Sequence, residues 1–163
     1  MAHFNGTEAQ PANQPELQQP ASRSAAIRLL ATLGLTKLPP LSRMPALKTI
    51  ERFVRMVESN EGVEAISEFY AEHATMQENE SPPRIGKEAL LRFEIAAQAS
   101  VTNLKANCIR PILVSESTVV VRWILEYTSG SGKAVRFEEL AYQLWDGELI
   151  VQEKFFYDPA QFK

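Results

Sequence analysis

The stretch "HATMQENESPPRIGKEALLRF", residues 73–93, decides how the chain is read. Residues 74–78, "ATMQE", have the make-up of a short strand, and a polar run, the pair Pro82–Pro83 and Gly86 follow. Proline and glycine punctuate regular structure, so the strand must end there. "GKEALLRFEIAAQASV" then opens a helix with apolar residues at Leu90, Leu91, Phe93, Ile95 and Ala97. The stretch is therefore strand, loop, helix, and one carboxylate, Glu78, stands where strand gives way to loop. Whether Glu78 looks into a pocket or into solvent is the question it raises.

Upstream, Leu47, Ile50, Phe53, Val54 and Val57 recur at helical spacing, which predicts an amphipathic helix over residues 46–59. Residues 60–73 predict a second, shorter helix with Val63, Ile66, Phe69 and Tyr70 on one face, and Gly62 suits the break between the two. Downstream the pattern changes to strands. Residues 104–115 are interrupted by Pro111, which lacks a ladder donor and predicts a bulge or a sheet edge. Residues 117–129 form a long β-branched and aromatic run, "GSGK" signals a turn into residues 134–145, and Asp146–Gly147 is the strongest hairpin signal in the chain. Three helices followed by a mainly antiparallel sheet define an α+β domain with the helices on one face.

Composition narrows the functional classes. A net charge of −3 supplies no field for non-specific nucleic-acid binding. The single cysteine, Cys108, excludes an internal disulfide and a cysteine-based zinc site, and its apolar neighbours predict a buried, inert thiol. His3 and His73 lie far apart, in no metal-ligand spacing. No stretch approaches the roughly 20 apolar residues of a membrane span, and no secretory signal opens the chain. A cytoplasmic protein without metal or cofactor is the expectation. Residues 1–22, rich in Gln, Asn, Pro and Ala, read as disordered. Residues 23–43 carry Arg23, Arg28, Lys37 and Arg43 around Ile27, Leu29, Leu30 and Leu33. That segment reads as an amphipathic extension packing on the domain or a partner, with an organelle-type targeting segment as the alternative. The domain proper is expected at residues 44–163.

"FYAEHATMQEN", "PPRIGKEAL" and "WDGELIVQEKFFYDP" together resemble the nuclear transport factor 2-like superfamily, in its SnoaL-like and ketosteroid isomerase-like branch, over about residues 46–160. The resemblance implies a cone: a strongly curved sheet wrapped around the helices, with an apolar pocket at the open end. It also implies a homodimer through the outer sheet face. It implies no single reaction, because this fold serves isomerases, cyclases, epoxide hydrolases, dehydratases and plain binders.

Residue by residue, the resemblance places Glu78 at the isomerase base, four residues after Ala74. The isomerases' first-helix tyrosine aligns with Phe53 and their penultimate-strand acid near Leu140, so the oxyanion hole is missing and the known steroid-isomerase mechanism is rejected. The epoxide hydrolases' polar set aligns with Glu138, Leu140 and Lys154, and the cyclases' acid also falls near Lys154. A lysine there serves as the acid only if burial lowers its pKa.

Strand parity offers a separate handle. If Trp123 and Leu125 face the interior, the same alignment turns Glu138, Leu140, Tyr142 and Leu144 inward, and Gln152, Lys154 and Phe156 with them. Glu138 and Lys154 would then pair along the pocket wall. A register error of one residue replaces that set with Glu139, Glu153 and Phe155. The plainer readings are a solvated Glu78, an exposed Glu138–Lys154 pair, core packing for Tyr70, Phe93 and Trp123, and a helix-capping or solvent-facing His73. Asp158 fits a turn before Pro159.

Two functions follow. One is an enzyme acting on an apolar, carbonyl-bearing molecule, with Glu78 transferring protons and Tyr142, Lys154 or His73 assisting. The other is a non-catalytic module that holds a hydrophobic small molecule or a protein partner.

Overall fold

The structure, a computed structural model, describes residues 44–162, so the expectations for residues 1–43 lie outside the described residues. Helix α1, Leu47–Glu58, turns Ile50, Phe53 and Val54 into the core, while Leu47 in its first turn stays 69% exposed. The break after α1 is made at Asn60, whose φ of 62° is left-handed and whose side chain donates to the Leu104 carbonyl at 3.0 Å. Gly62 is not the breaker but the first residue of α2, Gly62–Phe69. Its missing side chain leaves the space that the Glu94 carboxyl and Gln98 amide occupy.

Helix α2 is shorter than its apolar period suggests, because strand β1 begins at once, Tyr70–Glu78. Tyr70 pairs with Ile150 in the sheet, and a ladder to a distant strand overrides local helical spacing there. His73 consequently lies in a strand and is exposed. After the Pro82–Pro83 loop, strand β2, Arg84–Ile85, pairs antiparallel with β1. Gly86, at φ 89°, donates its N–H to Ala74 at 2.8 Å and caps helix α3, Lys87–Ala99. Only Leu90 of α3 is fully buried, and Ile95 is exposed.

Strands β3 (Val101–Ser115), β4 (Thr118–Ser129), β5 (Ala134–Asp146) and β6 (Leu149–Phe156) complete a six-stranded curved, unclosed sheet. Its order is β2-β1-β6-β5-β4-β3, and all neighbours are antiparallel except β1 and β6. β3 is an edge strand and also shifts register between Ile109 and Leu113, so Pro111 sits at both places a strand tolerates it. The α+β architecture is the expected one, with one parallel pair that hydrophobic pattern cannot reveal.

The core lies where α1 and α2 meet the sheet. Phe53 stacks edge-on against Phe69 at 5.7 Å and Trp145 at 6.1 Å, and Val54, Leu90, Val119, Val121 and Ile150 are fully buried around them.

Candidate functional site

Register decides what faces the interior. Trp123 pairs with Glu139 and Leu125 with Phe137, so Glu139 and Phe137 share the inner face with Trp123. On β6 the turn end is regular, with Trp145 opposite Ile150; one residue later Leu144 stands opposite Gln152. Val151 is thus an extra residue, a β-bulge, and it reverses the parity of everything beyond it. Ile150 faces inward, and after the bulge Glu153, Phe155 and Tyr157 do too.

This corrects the expected parity at the β4–β5 ladder, where Trp123 stands opposite Glu139 and Leu125 opposite Phe137, so the even-numbered residues of β5, and Phe156, Lys154 and Gln152 opposite them on β6, face outward. Glu138, Leu140, Tyr142, Gln152, Lys154 and Phe156 are absent from the interior wall. Leu140 and Phe156 are 43% and 44% exposed. Glu138 pairs with Arg122 at 2.6 Å rather than with Lys154, whose Nζ reaches Glu80 at 3.0 Å. Cys108 is half-buried, and burial pushes its thiol up.

Between the helices and the inner sheet face lies a cavity of about 380 Å³. Glu78, Phe53, Tyr70, Phe93 and Trp123 are on its wall, and His73 is not. The wall also carries Glu94, Glu139, Glu153, Tyr157 and Phe162, which sequence reasoning either assigned to the opposite face or did not single out.

Three of these carboxyl groups have different surroundings. Glu78 is held at both oxygens: the Arg84 guanidinium lies 2.9 Å from Oε1, and the Tyr157 hydroxyl donates to Oε2 at 3.0 Å. The Arg84 guanidinium carbon also lies over the Phe93 ring, 3.3 Å from its centroid. Burial, followed by the Glu78 bond, pushes the Tyr157 hydroxyl up to about 12.

Glu153 is buried and fully hydrogen-bonded. The Tyr70 hydroxyl donates to Oε2, Gln143 Nε2 donates to Oε1 at 2.7 Å, and Trp145 Nε1 donates to Gln143 Oε1 at 3.1 Å. Burial pushes its carboxyl up to about 7 against those stabilising donors. The same burial, with Glu153 beside it, holds the Tyr70 hydroxyl well above its ordinary range.

The Glu139 carboxyl has no hydrogen-bond or ion-pair partner among the described residues, yet the residue lines the cavity. Burial first, then the neighbouring charges of Glu153 and Glu78, push its carboxyl up to about 8. Glu94, on α3, is raised by burial as well and accepts a bond from Gln98 at 2.9 Å. Among the described residues, no three His, Cys, Asp or Glu side chains are grouped to hold a metal ion, and no helix is long and apolar enough to cross a membrane.

A curved sheet folded over helices, enclosing an aromatic cavity with carboxyl groups on its wall, defines the cone class of α+β proteins. Residues 50–152 match the SnoaL-like domain, and the chain belongs to that family. No curated protein matches the chain. A solved structure of a proposed SnoaL-like polyketide cyclase (also labelled carbohydrate phosphatase) from Mesorhizobium loti is 20% identical, with TM-score 0.59, over 68% of this chain and 97% of that one. TerC, co-crystallised with polyporic acid, is 13% identical, with TM-score 0.61, over 71% and 93%. An epoxide hydrolase of the LEH-like type from M. tuberculosis is 14% identical, with TM-score 0.59, over 71% and 84%. At these identities the likeness is one of fold.

Proposed function

We propose that the cavity binds a small, largely apolar, carbonyl-bearing molecule and moves a proton on it without a cofactor, in chemistry of the isomerase, cyclase or dehydratase type. The observation that carries this reading is the contrast between two carboxyl groups on one wall. Glu139, at about 8, keeps its proton near neutral pH and can donate it toward a carbonyl oxygen. The base role is assigned to Glu78, which is ion-paired with Arg84. The two carboxyl groups differ in what holds them: Glu78 is gripped by Arg84 and Tyr157, and the Glu139 side chain has no hydrogen-bond or ion-pair partner among the described residues. Leu140 is not the group at the oxyanion position on this reading; Glu139, one residue earlier, is. Phe53 still supplies no hydroxyl, and the Tyr70 hydroxyl is committed to Glu153. Relatives named as a cyclase and an epoxide hydrolase, and one crystallised with polyporic acid, support an organic small-molecule ligand.

The test is deuterium exchange from solvent into model enolisable ketones. Removing an acid or base costs about 10²–10⁴ in rate, so Glu139→Gln and Glu78→Gln should each bring exchange close to buffer. Exchange in either variant as fast as wild type removes that residue from the mechanism. A second reading has its own observation: both Glu78 oxygens are already occupied. On that reading the protein is a binder, and ligands raise its melting point while no exchange above buffer occurs.

The resemblance further implies a homodimer through the outer sheet face, where Leu140 and Phe156 stand exposed. Light scattering that shows only monomer at micromolar concentration would refute it.

A further inference from the structure

After β6 the chain makes a 3₁₀ turn, Pro159–Phe162, that belongs to no strand. It is stiff within itself. Pro159 locks one dihedral, Asp158 Oδ1 accepts the Ala160 N–H at 2.8 Å, and the Asp158 carbonyl accepts the Gln161 N–H at 3.1 Å. Tyr157, two residues before the turn, is anchored, since its N–H donates to Asn79 Oδ1 at 3.1 Å and its hydroxyl to Glu78. A fixed residue followed by a stiff unit leaves the bend at Asp158 as the joint.

Gln161 fastens the turn to the sheet. The β5–β6 ladder reaches Leu140–Phe156 and stops. Beyond it the Gln161 amide imitates the next rung: Oε1 accepts the Glu138 N–H at 2.9 Å, and Nε2 donates to the Glu138 carbonyl at 3.0 Å. With the amide seated, the Phe162 ring lies 4.9 Å from Phe137 and 5.5 Å from Tyr157 and forms part of the cavity wall. The Lys133 ammonium adds a bond to the Phe162 carbonyl at 3.2 Å. Pro159, Ala160 and Gln161 are exposed, so water competes for the amide bonds and their net strength is small.

We propose that this turn is a gate on the cavity, with Gln161 as its latch and Phe162 as its plug. The inference rests on the cavity being the ligand site, as proposed above. A ligand enters and leaves when the turn swings out about Asp158, and closure returns an aromatic ring beside Tyr157, the residue that holds Glu78. The gate therefore sets entry rate and ligand size and also shields the candidate base from water.

The experiment uses the full chain and the neutral, carbonyl-bearing fluorescent probe prodan in stopped flow, with wild type, Gln161→Ala and Phe162→Ala. Loss of the latch should speed both association and dissociation by about tenfold, which corresponds to about 1.4 kcal/mol of closing free energy, and leave Kd within about threefold. Unchanged association, or a weaker Kd that comes from dissociation alone, makes Phe162 ordinary wall and overturns the gate. Failure of prodan to bind wild type would instead count against the ligand site itself. Ligand-free hydrogen exchange then decides the gate. In wild type the Glu138 amide should exchange faster than those of the buried Ala141 and Gln143, and Phe162→Ala should accelerate Glu138 alone. Glu138 exchanging only as slowly as Ala141, or all three accelerating alike, refutes an independently opening turn.

Discussion

Glu153→Gln separates the cost of a buried charge from the value of the hydrogen bonds around it. The carboxyl sits in the core at 2% exposure with its oxygens taken by Tyr70 and Gln143. In the unfolded chain it ionises near the ordinary 4.5, and in the folded protein near about 7. Between those values the unfolded state has released a proton that the native state still binds, so native stability falls as pH rises. Each pKa unit is worth about 1.4 kcal/mol, and the shift therefore removes about 3 kcal/mol between about pH 4 and about pH 8. The amide introduced by Glu153→Gln cannot ionise and loses nothing over that range. It still accepts from one neighbour, and the Tyr70 hydroxyl can turn to accept from its NH₂, so the cost at low pH is about 1 kcal/mol. Wild type should then be the more stable protein near pH 4, and the variant the more stable by about 2 kcal/mol near pH 8. Urea unfolding of both chains across that range measures the difference. Glu139 titrates in both proteins and largely cancels. What remains has the same sign, because a neutral neighbour lets Glu139 ionise more easily. A stability difference that stays flat with pH would mean that Glu153 does not titrate in this window, and the account of the buried network would be wrong.

Other changes test separate parts of the structure. Leu90→Ala opens a void at a fully buried position where α3 meets the core, and should cost about 2–5 kcal/mol by urea titration. Lys154→Met and Glu138→Gln alter the outer face alone, so probe affinity and ketone exchange should match wild type; a large loss in either would restore the discarded register. Arg84→Gln removes the ion pair at Glu78 and the cation over Phe93. Ketone exchange should fall well below wild type in that variant, and a rate equal to wild type would show that Glu78 needs no guanidinium to act.

Much of the fold was legible because it rests on local signals. The apolar stripe of α1, the Gly86 entry into α3, the Pro111 interruption and the Asp146–Gly147 turn are each decided within a few residues, and each lies where the pattern puts it. The misreadings occur where a distant contact wins. Tyr70 has a helical period, but the β1–β6 ladder and the Glu153 carboxyl claim it for a strand. That parallel pairing joins segments about 80 residues apart, and no turn between them signals it.

By itself, the sequence determined the class of the domain, the family to which it belongs and the presence of Glu78 at the junction of strand and loop. The hairpin between β4 and β5 sets the inner face of β5: its register pairs odd with odd positions, Trp123 with Glu139, from the turn onward. Only tertiary structure decided the last strand. The two-residue turn at Gly147 starts a register that puts Ile150 inside, and simple alternation from there would bring Gln152 and Lys154 into the cavity. The bulge at Val151 turns them out and brings in Glu153. A bulge leaves no reliable mark in composition, because its location is set by how the curved sheet closes over the helices. One inserted residue on β6 therefore puts Glu153, rather than Lys154, on the cavity wall.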